Sequence, residues 1–243
     1  MPAIEVKGVS FSYDNVTPVL KNVNLTLNDG ELVSLLGMSG CGKTTLFNII
    51  AGLLNPQEGQ VLLNGEDITG KTGKISYMLQ KDMLLPFRTI EDNVALPLII
   101  KGTPKRKARA AVGEHFERFG IGDTQKKYPA ELSGGMRQRA ALLRTYMFSG
   151  AAALLDEPFS ALDMMTKSEM HRWYLDVMDR IKLSTVFITH DVDEAILLSD
   201  KVCVMKDGAV TDEIVIRDPK PRRRDFNLTE EFLNYKREII GKI

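Results

Sequence analysis

Two short stretches of this sequence carry residue types and spacings that can do phosphate chemistry. Gly37-Met38-Ser39-Gly40-Cys41-Gly42-Lys43-Thr44 fits the pattern G-x-x-x-x-G-K-[ST] at every fixed position. Glycines there let backbone N–H groups turn inward around an anion, and the helix expected to follow adds its positive end. Lys43 is placed to reach the β- and γ-phosphates of a nucleoside triphosphate, and the Thr44 hydroxyl to ligate Mg²⁺. The second stretch, Ala152-Ala153-Leu154-Leu155-Asp156-Glu157-Pro158, is an apolar run that delivers two acids at its end. Ligand sites in open parallel sheets gather at such strand ends. With a phosphate loop upstream, Asp156 suits a metal-binding role and Glu157 the polarisation of an attacking water.

The elements that must hold these groups are legible in the hydrophobic pattern. Leu32–Leu36, broken only by Ser34, reads as a strand buried on both faces that feeds the glycine-rich turn. Thr44–Leu54 reads as the helix after it, closed by Asn55-Pro56. Before them, Ile4–Lys7 and Val23–Leu27 alternate as half-buried strands do. Asn28-Asp29-Gly30 and Asn64-Gly65, the latter after Val61–Leu63, read as hairpin turns. A strand is expected over 74–79. Helical spacing then takes over at Glu91–Ile100, Lys105–Phe119 and Gly134–Phe148. Strands return at Ala151–Leu155, Thr185–Thr189 and Lys201–Met205, interleaved with helices at Lys167–Ile181 and Val192–Leu198. The expected fold class is α/β, a P-loop parallel sheet core with an N-terminal antiparallel β portion and an inserted α-helical subdomain. As a single domain, 1–88 and 150–215 form the catalytic core, 89–149 the helical subdomain and 216–243 a tail.

Composition narrows the function classes. Thirty-two acids balance thirty-two bases among 243 residues, so the whole chain offers no electrostatic case for nucleic acid, and aromatics at 7% offer no base-stacking surface. Cys41 and Cys203 stand far apart and read as reduced thiols of a cytoplasmic protein. The opening Met1–Glu5 lacks a basic, apolar leader, and no apolar run approaches the ~20 residues that span a bilayer. Any service to a membrane is expected to run through partner chains.

Leu132-Ser133-Gly134-Gly135-Met136, continued by Arg137-Gln138-Arg139, sharpens the reading. Ser133 is placed to cap a helix whose two glycines leave N–H groups bare, which makes a second anion site without a second phosphate loop. Here the chain resembles the ATP-binding cassette family, whose signature is Leu-Ser-Gly-Gly-Gln at this place; Met136 stands where Gln is usual. The resemblance implies a head-to-tail homodimer, with ATP between the phosphate loop of one copy and Ser133, Gly134 and Gly135 of the other. It assigns ATP contacts to Gly37, Ser39, Gly40, Cys41, Gly42, Lys43, Thr44 and Thr45, and adenine stacking to Tyr13. Gln80 resembles the family glutamine that senses the γ-phosphate and joins Thr44 and Asp156 at Mg²⁺. His190 resembles the histidine that holds the γ-phosphate and the catalytic acid, so that Glu157, His190, Gln80 and Lys43 form the catalytic set. Asp163, in Ser160-Ala161-Leu162-Asp163, resembles the loop that crosses the dimer interface.

The segment Gln80–Phe87, with Thr89 and Glu91-Asp92-Asn93-Val94, is similar to the importer branch for nitrate, sulfonates, taurine and related small solutes, which more often has Trp where Phe87 stands. The expected setting is therefore the cytoplasmic face of a membrane, beneath two transmembrane permease subunits and with a solute-binding protein. The rival reading is a soluble cassette ATPase that remodels an assembly such as an iron–sulfur scaffold. Two local alternatives stay open. Leu84, Leu85 and Phe87 either fill the subdomain core or line a groove for a permease helix. The basic run Lys220-Pro221-Arg222-Arg223-Arg224, before a final helix at Leu228–Ile240, is either solvated surface or a contact for anionic headgroups. His115 and His171, on helices, receive no role.

Overall fold

The computed structural model describes residues 2–148, 152–160, 162–220, 222–223 and 225–243. Ala151, Ala161, Pro221 and Arg224, which belong to the strand, loop and basic run expected above, lie outside the described residues, as do Ser149 and Gly150 at the expected subdomain boundary.

Two sheets carry the chain. The larger contains β3 (Leu32–Leu36), β6 (Ser76–Met78), β7 (Ala152–Asp156), β8 (Ser184–Thr189), β9 (Lys201–Lys206) and β10 (Ala209–Val215), in the order β10-β9-β3-β8-β7-β6. All its pairings are parallel except β9 with β10. β3, β7 and β8 are buried along their whole length, as strands covered on both faces must be. The smaller sheet is antiparallel, ordered β2-β1-β4-β5, from β1 (Pro2–Phe11), β2 (Leu20–Asn28), β4 (Glu58–Leu63) and β5 (Glu66–Asp67). Between the sheets runs α1 (Lys43–Ile50), whose Leu46, Phe47 and Ile49 share one core with Ile4, Val6, Val33 and Leu35. Each such side chain contributes about 1.5–3 kcal/mol of burial.

A second core joins the helices α2 (Ile90–Ile100), α3 (Lys105–Gly113) and α4 (Gly134–Phe148) to α5 (Met164–Ile181) and to the sheet, through Phe116, Phe119, Leu143, Tyr174, Met78 and Phe187. α6 (Val192–Leu198) and α7 (Glu230–Ile240) complete a third, smaller core around Ile196, Phe226 and Phe232. No helix among the described residues is long and apolar enough to cross a membrane.

Several expectations need correction. The turn at Asn28–Gly30 is no hairpin: it passes the chain from β2 in one sheet to β3 in the other, and Ser184 Oγ receives the Gly30 N–H at 2.8 Å. α1 stops at Ile50, four residues early, because Gly52 turns left-handed (φ +75°) and returns its N–H to Ile49. α3 ends at Gly113. Phe116 and Phe119 are still buried, but from successive turns that close at Gly120 (φ +67°). β10 was not expected, although Asp207-Gly208, at φ +50° and +83°, is a two-residue hairpin signal. The strand expected over 74–79 shrinks to β6.

Neither expectation for the basic run holds at Lys220 and Arg222. Lys220 Nζ lies 2.7 Å from Asp200, whose carboxylate also caps the Leu32 N–H. Arg222 donates to the Leu197 and Ser199 carbonyls at 2.8 and 2.6 Å. Burial pulls both groups below their ordinary pKa. These charges fasten the tail to the sheet; of the described residues in the run, only Arg223 keeps an exposed side chain, beside Asp225 at 3.3 Å.

Candidate nucleotide site

The phosphate loop leaves β3 and enters α1 at Lys43, as its spacing predicts. Gly42 sits at φ +107°, a conformation closed to other residues, and a Cβ on Gly37 would strike the Met205 carbonyl of β9. Lys43 Nζ folds back on the loop's own carbonyls, Gly37 O at 2.7 Å and Met38 O at 2.8 Å. Two strands away, β7 delivers Asp156, and its Oδ2 lies 3.4 Å from Thr44 Oγ1. Glu157 follows with φ +45°, its N–H donating to Ile188 of β8. A left-handed glutamate costs about 1 kcal/mol or more, and such strain collects where a side chain must be aimed. Its carboxylate is gripped from two sides: Gln80 Nε2 donates to Oε2 at 3.0 Å, and His190 Nδ1 stands 3.1 Å from Oε1.

Tyr13, Ser39, Gly40, Gly42, Lys43, Thr44, Thr45, Gln80, Asp156 and Glu157 all border one open cavity of about 470 Å³. Tyr13, 64% exposed, touches Phe11 edge-on and places its hydroxyl 3.2 Å from Thr45 Oγ1. Gly37 and Cys41 belong to the same loop but do not border this cavity; Cys41 lines a neighbouring one. Gly134, Gln80, Glu157 and His190 border an adjacent cleft of about 660 Å³. Ser133 accepts the Met136 N–H at 3.3 Å and so caps α4, and Asp163 caps α5 through the Met165 and Thr166 N–H groups, both at 3.1 Å. Neither Ser133, Gly135 nor Asp163 borders the phosphate cavity of its own chain.

Sequence reasoning missed the residues that brace this geometry. Asp191 caps α6 and pairs with Lys167 at 2.7 Å, and Lys167 reaches the buried Glu194 at 3.0 Å. His171, given no role, faces Glu194 at 3.7 Å. The adjacency of Asp191 to His190 was the available signal. Cys41 and Cys203 are both free, and burial pushes the Cys203 thiol up to about 12.

The donor set suits a hard divalent cation. Asp156 is 8% exposed, and burial, then the neighbouring Glu157 charge, push its carboxyl above the ordinary range. Thr44 supplies a second oxygen, the donor type such cations take; among the described residues no group of three or more His, Cys, Asp or Glu that could hold a metal ion occurs. The same burial has a measurable consequence. Because ionisation is opposed in the fold, stability falls as pH rises through the raised range, and the penalty is fully present above it. At pH values above that range, Asp156→Asn is therefore expected to raise the melting temperature of nucleotide-free protein. The gain should shrink as pH falls toward the ordinary carboxylate range. Differential scanning calorimetry of both proteins across that range checks it.

A phosphate loop on one parallel strand, with paired acids two strands over, defines a P-loop nucleoside triphosphatase. The profile of the ABC transporter family matches residues 20–160, more than half of the chain, and the chain belongs to that family: it is an ABC-type ATPase that binds ATP. It is 40% identical to the formylaminopyrimidine import ATP-binding protein ThiZ of Halalkalibacterium halodurans, over 92% of this chain and 87% of that protein. It is 36% identical to the aliphatic sulfonates import ATP-binding protein SsuB of Bacillus cereus, over 98% and 94%. Among solved structures it is similar to the dimeric bacterial ABC transporter cassette MJ0796, at 30% identity and a TM-score of 0.76, over 89% of this chain and all of that one. That cassette is also known as a dimer in a post-hydrolysis state bound to ADP and Pi.

Proposed function

We propose that the chain is the ATP-hydrolysing subunit of a small-solute importer, working as a homodimer on the cytoplasmic face of a membrane beneath two permease subunits fed by a solute-binding protein. The nitrate, sulfonate, taurine or a related class remains the proposed solute range, supported by the import relatives. We read 89–149 as the helical subdomain, 1–88 with 150–215 as the catalytic core and 216–243 as the tail. In this reading Lys43, Ser39 and the loop N–H groups hold the triphosphate, and Tyr13 faces the base. Ser133, Gly134, Gly135 and Asp163 of the second copy close the site, which explains why none but Gly134 lies near the first copy's acids. Glu157 accepts a proton from the attacking water, Gln80 and His190 fix the direction in which it does so, and Thr44, Asp156 and Gln80 would hold Mg²⁺. That ion, when bound, neutralises phosphate charge.

The observation that carries the importer reading is Phe87. Leu84 is 7% exposed and belongs to the core, whereas Phe87, three residues on, stands 73% exposed just downstream of Gln80. An exposed aromatic at that place can anchor a partner, at about 2 kcal/mol of interface energy. Phe87→Ala is expected to leave the melting temperature and the basal ATPase rate almost unchanged while lowering the fraction of the chain that co-sediments with membranes of the native host. A large thermal loss, or an unchanged membrane fraction, overturns the groove assignment and returns the remodelling ATPase to consideration.

A further inference from the structure

Arg144 lies on α4, eleven residues after the Ser133 cap, and is half-buried without a carboxylate in hydrogen-bond contact. Burial pulls its guanidinium below the ordinary range, with the Asp82 charge opposing that only from a distance. Both arms of the fork go to main chain: Nη1 to Met83 O at 2.7 Å and Nη2 to Asp82 O at 2.5 Å. Burying a cation to hold two carbonyls is expensive, and it makes sense where those carbonyls must stay in one place. The peptide they belong to is itself unusual. Met83 is a non-glycine residue at φ +48°, and it lies three positions after Gln80.

The same stretch is fastened elsewhere. Arg137, two turns before Arg144 on the same face of α4, lies 3.3 Å from Asp82 Oδ2, while Asp82 Oδ1 accepts the Leu84 N–H at 3.1 Å. Asn93 of α2 clasps the far end, accepting the Leu85 N–H at 2.6 Å and donating to Leu85 O at 3.1 Å. The chain from 82 to 85 is thus a rigid piece of the helical layer, and the freedom left before it is Gln80 and Lys81, both exposed. Gln80 in turn donates to Glu157 at 3.0 Å.

We infer that Arg144 is a positioning residue for hydrolysis: by pinning the Asp82–Met83 carbonyls to the helix that starts at Ser133, it sets where Gln80 meets Glu157. This deepens the reading above and rests on it. Arg144 touches neither nucleotide nor reacting atom. Its loss should reach turnover only through Gln80.

The test is a double-mutant cycle on the purified full chain with Mg·ATP. Arg144→Gln keeps one donor and removes the charge; it is expected to lower kcat about tenfold while the ATP affinity, measured by titration without turnover, stays within about twofold. Arg144→Lys keeps the charge but lacks the fork, and it is expected to fall short of rescue; it also serves if the first variant does not fold. In a Gln80→Ala background, either Arg144 substitution should change kcat by less than about twofold. Additive losses in that background, or a loss of ATP affinity that accounts for the lost turnover, overturn the inference. Failure of the wild-type chain to hydrolyse ATP, or of Gln80→Ala to slow it, would instead strike the reading on which it rests.

Discussion

Glu157→Gln is expected to bind ATP as the wild type does and to hydrolyse it about 10²–10⁴-fold more slowly. The amide keeps the shape of the carboxylate and its left-handed backbone, so the loop, Lys43 and Tyr13 are undisturbed. What it loses is the capacity to accept a proton from water. It also meets a different neighbour at one oxygen, because Gln80 Nε2 donates to Oε2 at 3.0 Å and an amide nitrogen placed there opposes that donor. If ATP bridges two copies as proposed, blocking hydrolysis keeps it there, and the chain should elute as a dimer from size exclusion in ATP and as a smaller species without it. Normal turnover by a variant that stays monomeric would remove Glu157 from the role assigned to it.

Lys43→Ala is expected to weaken ATP binding by roughly 100-fold or more, about 3 kcal/mol. The ammonium stands at the mouth of α1 with its donors on Gly37 O and Met38 O, so it both shapes the loop and supplies the cation nearest the expected phosphates. Its removal leaves those two carbonyls turned toward an incoming anion. Isothermal titration with Mg·ATP reads the effect directly, and wild-type affinity in the variant would sink the assignment of this loop to the triphosphate.

Much of this arrangement was legible because its signals are local. The phosphate loop is eight consecutive residues, and the buried strands β3, β7 and β8 announce themselves as unbroken apolar runs. Asp156 and Glu157 could be placed together because a strand end fixes both. What escaped was set by contacts distant in sequence. Arg144 to Asp82 spans 62 residues and Lys201 to Thr26 spans 175, and no periodicity records such pairings. The fate of Lys220 and Arg222 escaped for the same reason, since a run of bases looks alike whether it meets water, lipid or the carbonyl end of α6. Phe87 and Leu84 looked equivalent in the sequence; only the fold shows that one is interior and the other is not. Helix ends were misjudged where a left-handed glycine, as at Gly52, acted before the hydrophobic pattern faded.

The backbone at Glu157 and the burial of Asp156 bear on how this protein can be engineered. Glycine would relax the one position, and asparagine or an apolar residue the other, so the mutations that best stabilise the free chain at the end of β7 are the ones that remove its chemistry. A selection for heat resistance carried out on nucleotide-free protein has no means of protecting positions 156 and 157, and substitutions accepted there yield an inert subunit. Screening in the presence of ATP and a divalent cation supplies that protection, because bound ligand then rewards the acids that the empty site penalises.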